Sequence, residues 1–510
     1  EVLKRLAQEN IFGIDKDESA VQVAIFSVYL TLLDYQKPAE IENFKFPSLL
    51  NSNFFVADFF DTGAGYNPEF KKHSFDFILG NPPWAGAKKG LDRIGKNYIR
   101  QRKSDERKLK KPFEIGINNN EIAEGFVLRA SDFCNLKTQI AFIIRSSILY
   151  NLGYSAESPF RPYWLQEFFI DRVFELAPVR HEVFDRSSDP AIAPAAIVFY
   201  TYANGENTDK NRIEHITLKP SRFFSIFKIF TINRSDYKKI EQSRLKQYDW
   251  LWKTLVYGSY LDFIFLKRIK NEYPSIKQVI SDETKFAEGT GIQYSSDPEY
   301  SSDHLIGKPF IDTYAIDPFF INPDKISKFD KPKVHRLRDE RLFMAPMLLI
   351  REGIDMTSLT ARCAISREDS LFKSAVTSIK VLYNSDYQIL HHIATLLSTT
   401  LFSYYSINTF TTIGIERERV TNYNKFSLPY LELDVQNEIE EIERAKIELY
   451  TIKKEGFFNN FEIESYNRKI KEKFDLLDKK VTQKLRLSDI ERELIDYALT
   501  VSKTMIVGNE

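Results

Sequence analysis

Along the first 200 residues, short apolar or alternating runs change places with stretches in which apolar positions return every three or four residues. The first kind reads as strand, the second as one face of a helix. Asn10-Ile-Phe-Gly-Ile-Asp15 predicts a short buried strand, and 17–34 a helix with Val21, Ala24, Ile25, Val28 and Leu32 on one side. Further strands are expected at 53–58, 75–80, 139–144, 172–176 and 195–200, with helices at 120–134 and 159–169. The opening residues, 1–8, read as the tail of a helix and lack the basic-then-apolar form of a signal peptide. This rhythm is that of a parallel α/β sheet with crossover helices, whose ligands sit at the carboxyl ends of the strands. Asp15, Asp58 and Asn81 fall at such ends.

The pattern changes at 204–211, a polar, loop-like stretch that predicts a domain boundary. A helical segment containing Trp250 and Trp252 follows, then a Pro-, Ser- and aromatic-rich region over 285–430 with irregular short runs, as in a loop-dominated α+β module. Beyond Val435 the chain is charged and helical, and most of that segment reads as a solvated helical hairpin. The stretch 387–415 has no Asp, Glu, Lys or Arg, but its Ile389, Leu390, Ile393, Leu396, Leu397, Leu401 and Phe402 keep helical spacing among polar residues. That spacing predicts a buried amphipathic helix, not a membrane span.

Composition narrows the class. With 510 residues, 43% hydrophobic and 28% charged, the chain is an ordinary globular protein, long enough for roughly two to four domains. Cys134 and Cys363 lie far apart with no CxxC, which points to a reduced, cytoplasmic setting and away from a zinc site. The seven histidines form no ligand cluster, so no metal is expected. Lys+Arg and Asp+Glu both number 71, so any surface for nucleic acid must be local.

The sharpest chemical signal is Gly80-Asn81-Pro82-Pro83-Trp84, directly after a strand. An exocyclic amine or amide nitrogen is a poor nucleophile because its lone pair is delocalised. If the Asn81 side-chain oxygen and the Pro82 carbonyl each accept one N–H, the nitrogen is held with its lone pair aimed at an electrophile. Proline fixes the backbone and adds no competing donor. Trp84, at the fourth position, can stack on the planar group being modified. A Pro-Pro turn followed by a buried Trp is the plainer alternative.

Asn-Pro-Pro-Trp resembles motif IV of the amino-methyltransferases. With its neighbours, the chain resembles the γ-type N6-adenine DNA methyltransferases of type I and type IIG restriction-modification systems. In that family an acid ending the second strand binds the ribose of S-adenosylmethionine, and Phe12-Gly-Ile-Asp15 matches it. Another acid, ending the third strand, contacts the cofactor adenine, and Val56-Ala-Asp58-Phe59 matches that one. Arg180-His-Glu-Val-Phe184 resembles the segment that places a phenylalanine against the flipped target base. The resemblance therefore implies Asp15, Asp58 and Phe59 for the cofactor, Asn81, Pro82, Pro83 and Trp84 for catalysis, and Trp84 and Phe184 on the two faces of the adenine. For Phe184 a core position is an equal alternative.

One family element departs. Asp61-Thr-Gly-Ala-Gly65 imitates the glycine-rich motif I, yet it follows both cofactor acids and only 15 residues separate Gly65 from Asn81. It reads as a decoy, and motif I is expected just before Glu1. Glycine is scarce, 19 of 510, which fits a chain that starts after that loop. The implied architecture is a class I S-adenosylmethionine-dependent methyltransferase (Rossmann-like) domain truncated at its N-terminus over 1–205, a helical connector over 206–284, an α+β target-recognition domain over 285–430 and a helical C-terminal segment over 431–510. Without a central first strand, between the second and fourth, these residues alone are expected to bind S-adenosylmethionine poorly. Micromolar affinity by calorimetry would contradict that.

Double-stranded DNA is the partner the resemblance implies. Between Lys88 and Lys111 stand 11 Lys/Arg and three acids, a local charge of +8 that follows the Asn81 motif. Phosphates near an extruded base are expected against Lys88, Lys89, Arg93, Lys96, Arg100, Arg102 and Lys103. A second basic run, 325–341, offers Arg336 and Arg338, and base readout is open among Gln293, Arg336, Arg338 and Arg351. Transfer to RNA or to protein glutamine, or DNA recognition without catalysis, stay open as alternatives. No Pro-Asp followed by (Asp/Glu)-x-Lys stands out, so any nuclease of the type IIG kind is expected upstream of Glu1 or on another chain.

Overall fold

In the computed structural model, which describes residues 2–111, 114–150, 160–183, 194–382, 387–415, 420–455 and 460–507, the chain divides into two units, Glu1–Asp249 and Trp250–Glu510. The first unit opens with α1 (Val2–Asn10), β1 (Gly13–Asp15), α2 (Glu18–Asp34) and β2 (Phe54–Val56). Asp17 starts α2 by accepting the Ser19 amide at 2.8 Å, as an N-cap aspartate does. Val21 and Ile25 on α2 pack with Leu49 and Phe54, which seats the helix on β2. Buried Asn53 donates from its amide to the Gln8 and Ile11 carbonyls at 2.7 and 3.0 Å, satisfying the open end of α1.

Next come α3 (Tyr66–Phe70), β3 (Phe77–Gly80), α4 (Arg93–Lys108), α5 (Ile122–Ala130) and β4 (Gln139–Arg145). The sheet is completed by β5 (Phe168–Glu175), β6 (Ala195–Tyr202), β7 (Arg212–Thr217) and β8 (Tyr237–Glu241). The strands form two sheets: a parallel pair, β1 with β2, and a six-stranded sheet in the order β3-β4-β6-β5-β7-β8. Thus β1 and β3 each stand at a sheet edge.

Two expectations need correction. The large sheet is mixed: β3 and β4 are parallel, but β6 lies between β4 and β5 and runs against both. Apolar alternation marks which face of a strand is buried, not its direction, so this was not legible. Residues 206–249 were expected in a helical connector, yet they supply β7 and β8 to the same sheet. The polar stretch at 204–211 is the turn between β6 and β7.

The second unit begins with helices Leu251–Tyr257 and Tyr260–Glu272. Its main sheet is antiparallel, with 360–366, 347–355, 376–381 and 286–290 side by side. Short strands and turns between 300 and 343 close over it around Ile292, Leu305, Phe329, Val334 and Leu349. The charge-free stretch forms two largely buried helices, Gln388–Ser398 and Thr400–Thr409. Helices Gln436–Glu455 and Asn460–Lys484 run antiparallel, tied by Lys473–Glu441 at 2.8 Å and Lys480–Glu438 at 2.7 Å. Among the described residues no helix is long and apolar enough to cross a membrane, and no His/Cys/Asp/Glu group could hold a metal ion.

Candidate active site

Strand ends bring the sequence-predicted residues together. Asp15 follows Ile14 at the end of β1, Asp58 and Phe59 lie just beyond β2, and Asn81-Pro82-Pro83 leave β3. All six line one cavity of about 870 Å3. The edge strands β1 and β3 form much of its wall.

The carboxylates are oriented by their own backbone. One Asp15 oxygen accepts the Asp17 amide at 2.8 Å, and Asp58 Oδ1 accepts the Phe60 amide at 2.8 Å. Both serve as acceptors at strand ends, the chemistry that sugar hydroxyls and an exocyclic amine require. The Phe59 ring stacks on Phe126 at 4.9 Å, an apolar plane beside the Asp58 carboxylate. These groups fit a nucleoside cofactor in their chemistry: hydroxyl and amine acceptors and an aromatic plane.

The loop after β2 is held by a residue the sequence did not single out. Buried Arg129, on α5, donates to the Phe59 carbonyl at 2.9 Å, the Tyr66 hydroxyl at 2.9 Å and Asp132 at 2.6 Å, and also to the Asn67 side-chain oxygen. Asn67 in turn donates to the Asp61 and Ala64 carbonyls. Asp61-Thr-Gly-Ala-Gly65 is knitted into this structural loop and lies outside the cavity lining.

Lys16 and Asp92 were also missed, and both line the cavity. Lys16 Nζ lies 2.7 Å from Asp58 and 3.3 Å from Asp92. Hydrogen bonding to Asp58 raises the Lys16 pKa above its ordinary value, so the ammonium is charged. Asp92 caps α4 by accepting the Gly95 amide at 3.0 Å, and that bond holds its carboxyl below the usual range. The Asp-then-basic-helix pattern at 92–96 was the available signal for the cap. Gly90 sits where a Cβ would come within 2.2 Å of the Asn120 carbonyl oxygen, so only glycine lets these two loops meet.

Trp84 stands outside the cavity lining. Its indole N–H donates to the Ile143 carbonyl at 3.3 Å, and it packs against the cluster of Leu176 and Val179. Just beyond, the Ile122 amide binds the Ala85 carbonyl at 2.9 Å. The next turns carry Glu121 and Glu124, whose carboxyls burial pushes up, Glu124 to about 8. Phe184 lies outside the described residues.

The basic segment divides. Arg93, Lys96, Arg100 and Lys103 follow one side of α4, three or four residues apart, and Lys88 and Lys89 are exposed ahead of it. Arg102 belongs to the opposite face and is corrected as a DNA contact. It is only 15% exposed and bonds Glu106, Asp132 and Ser131, which commits its guanidinium to the fold. In the second unit, Arg336 is exposed and its backbone pairs with Gln293, while Arg338 donates to the Gly291 carbonyl at 3.2 Å. The Gly289–Tyr294 segment and the basic run are thus neighbours. Arg351 lies over the Tyr314 ring at 4.5 Å.

The fold is like that of the methyltransferases of restriction-modification systems. Residues 9–184 match the family described as Eco57I restriction-modification methylase, and this stretch is such a methylase domain. No curated protein sequence matches the chain. Among solved structures it is similar to the type IIL restriction-modification enzyme MmeI in complex with DNA, with a TM-score of 0.53 and 14% identity over 98% of this chain and 66% of that one. The ATP-dependent type ISP restriction-modification enzyme LlaBIII bound to DNA matches with a TM-score of 0.45 and 11% identity, over 88% of this chain and 34% of that one. A DrdV–DNA complex matches with a TM-score of 0.43 and 12% identity, over 88% and 55%. The chain spans less than two thirds of the length of MmeI. At this identity the likeness to MmeI is one of fold.

Proposed function

We propose that this chain carries the catalytic and target-recognition parts of a site-specific DNA methyltransferase of a restriction-modification system. It acts in the cytoplasm, transferring the methyl group of S-adenosylmethionine to N6 of an adenine flipped out of double-stranded DNA. The observation that carries the reading is the convergence of Asp15, Asp58, Phe59, Asn81 and Pro82 on one cavity.

In this reading Asp15 accepts from the cofactor ribose, Asp58 from its adenine amine, and Phe59 packs on the ring. The cofactor supplies a methyl group on a sulfonium, whose sulfur keeps the bonding pair when that bond breaks. Asn81 Oδ1 and the Pro82 carbonyl each accept one N–H of the target amine, which turns its lone pair out of conjugation and onto the methyl carbon. The surplus amine proton passes to solvent after the N–C bond forms. Trp84, packed on the Leu176 and Val179 cluster with its indole N–H held by the Ile143 carbonyl, anchors the end of the Asn-Pro-Pro turn. Exposed Lys88, Lys89, Arg93, Lys96 and Arg100, with half-buried Lys103, receive the phosphates flanking the extruded base, and Arg336 and Arg338 belong to the recognition surface.

The test is Asn81→Ala in the full-length protein, with methyl acceptance measured on duplex DNA, RNA and protein. Transfer to DNA is expected to fall about 100-fold or more, the scale of a lost positioning contact, while DNA affinity holds. Equal activity of both proteins would remove the mechanism, and transfer to RNA or protein alone would remove the substrate.

A further inference from the structure

The cavity holds three carboxylates, from Asp15, Asp58 and Asp92, and one lysine between two of them. The Asp58 side chain is 12% exposed, whereas that of Lys16 is 69% exposed. A carboxylate so enclosed needs compensation for its lost hydration. The Phe60 amide fixes Oδ1 and the Lys16 ammonium fixes Oδ2, so rotation of the carboxylate about its last bond is blocked from both sides. Each carboxylate oxygen has two lone pairs, which leaves defined directions for a ligand donor. Lys16 itself is tethered: its backbone follows Asp15 at the end of β1, and its second partner, Asp92, is anchored to the start of α4 through Gly95.

We propose that Lys16 is a positioning residue for Asp58, fixing its carboxylate so that the free lone pairs meet the exocyclic amine of the cofactor's adenine. This rests on the functional reading above. The ammonium acts through Asp58 and not on the ligand, and Asp92 keeps it at that station. Three charged residues, from the ends of β1 and β2 and the start of α4, thereby form one device for reading an amine-bearing purine.

The experiment is calorimetric titration of the full-length protein with S-adenosylhomocysteine and with its analogue in which unsubstituted purine replaces adenine. In Lys16→Met, S-adenosylhomocysteine is expected to bind about two- to fivefold more weakly, the scale of one partly exposed ion pair. The purine analogue should bind the variant and the wild type alike, Lys16→Arg should restore the loss, and in an Asp58→Ala background Lys16→Met should change nothing further. Equal weakening of both ligands, or no weakening of either, would overturn the role of Lys16 while leaving the cofactor assignment standing. Binding of neither ligand by the wild-type protein together with any sequence that precedes Glu1 would overturn the cofactor assignment and the role together.

Discussion

Arg129 is the residue through which packing reaches the cavity, and Arg129→Met isolates that link. Methionine keeps most of the aliphatic volume against the Phe133 ring, 4.7 Å from the guanidinium, and removes the charge. What is left behind is specific: the Phe59 carbonyl, the Tyr66 hydroxyl, the Asn67 oxygen and one oxygen of Asp132 each lose a donor. Breaking a buried charged pair from one side costs about 3–5 kcal/mol. Asp132 retains Arg102 and Tyr98 as partners, which places the cost near the lower end, about 3 kcal/mol. In urea that is a midpoint lowered by about 1.5 M, taking a slope near 2 kcal/mol/M. Circular dichroism measures the midpoint, and hydrogen exchange localises the effect: the Phe60 and Gly63 amides, bonded to Asp58 and Asp61, should lose protection first. A midpoint unchanged within 0.3 M, or protection lost elsewhere and kept at Phe60, would refute the idea that Arg129 holds this loop.

Glu124 is buried with a carboxyl pushed up to about 8. The protonated form is favoured in the folded state, so its contribution to stability is complete below the ordinary carboxyl range and is lost as pH rises through about 8. The slope is at most about 1.4 kcal/mol per pH unit. Melting of Glu124→Gln between pH 5 and 8 should be flatter than wild type, and parallel curves would show that Glu124 does not titrate in this range. At Gly291 a Cβ would fall 2.2 Å from the Phe372 carbonyl oxygen, which is backbone and already accepts the Ile292 amide. Gly291→Ala should therefore destabilise the second unit by about 2 kcal/mol or more in thermal or urea unfolding, and a change below about 0.5 kcal/mol would contradict the close approach.

Much of the cavity was legible because its acids end short strands flanked by apolar residues, and Asn-Pro-Pro-Trp is compact in sequence. The strands expected at 75–80 and 139–144 were visible for the same reason and form over 77–80 and 139–145. What escaped was non-local or disguised. Tyr237-Lys-Lys-Ile-Glu241 is an edge strand with two lysines and a glutamate, so it carries little apolar signal. Lys16, Asp58 and Asp92 are separated by 42 and 34 positions, and nothing local pairs them. Arg102 looked like its basic neighbours because a count of charges is blind to helical phase. Only the period of α4 separates it from Lys96 and Arg100, and that phase is set by Tyr98, Ile99 and Glu106 turning inward.

The placement of β1 and β3 at facing walls of the cavity has a consequence for how this site tolerates change. In an edge strand alternate amide and carbonyl groups point away from the partner strand. Part of the polar wall between residues 12–15 and 77–80 is therefore main chain, which no substitution other than proline can delete. Exposed Phe77 and Leu79 can vary in size with little effect on the hydrogen-bonding character of that wall, whereas Phe12 and Ile14 are held by their packing on the Phe55, Tyr66, Phe70 and Phe133 cluster. The chemical identity of the pocket is concentrated in the few side chains at the strand ends, and its sequence record should be correspondingly sparse.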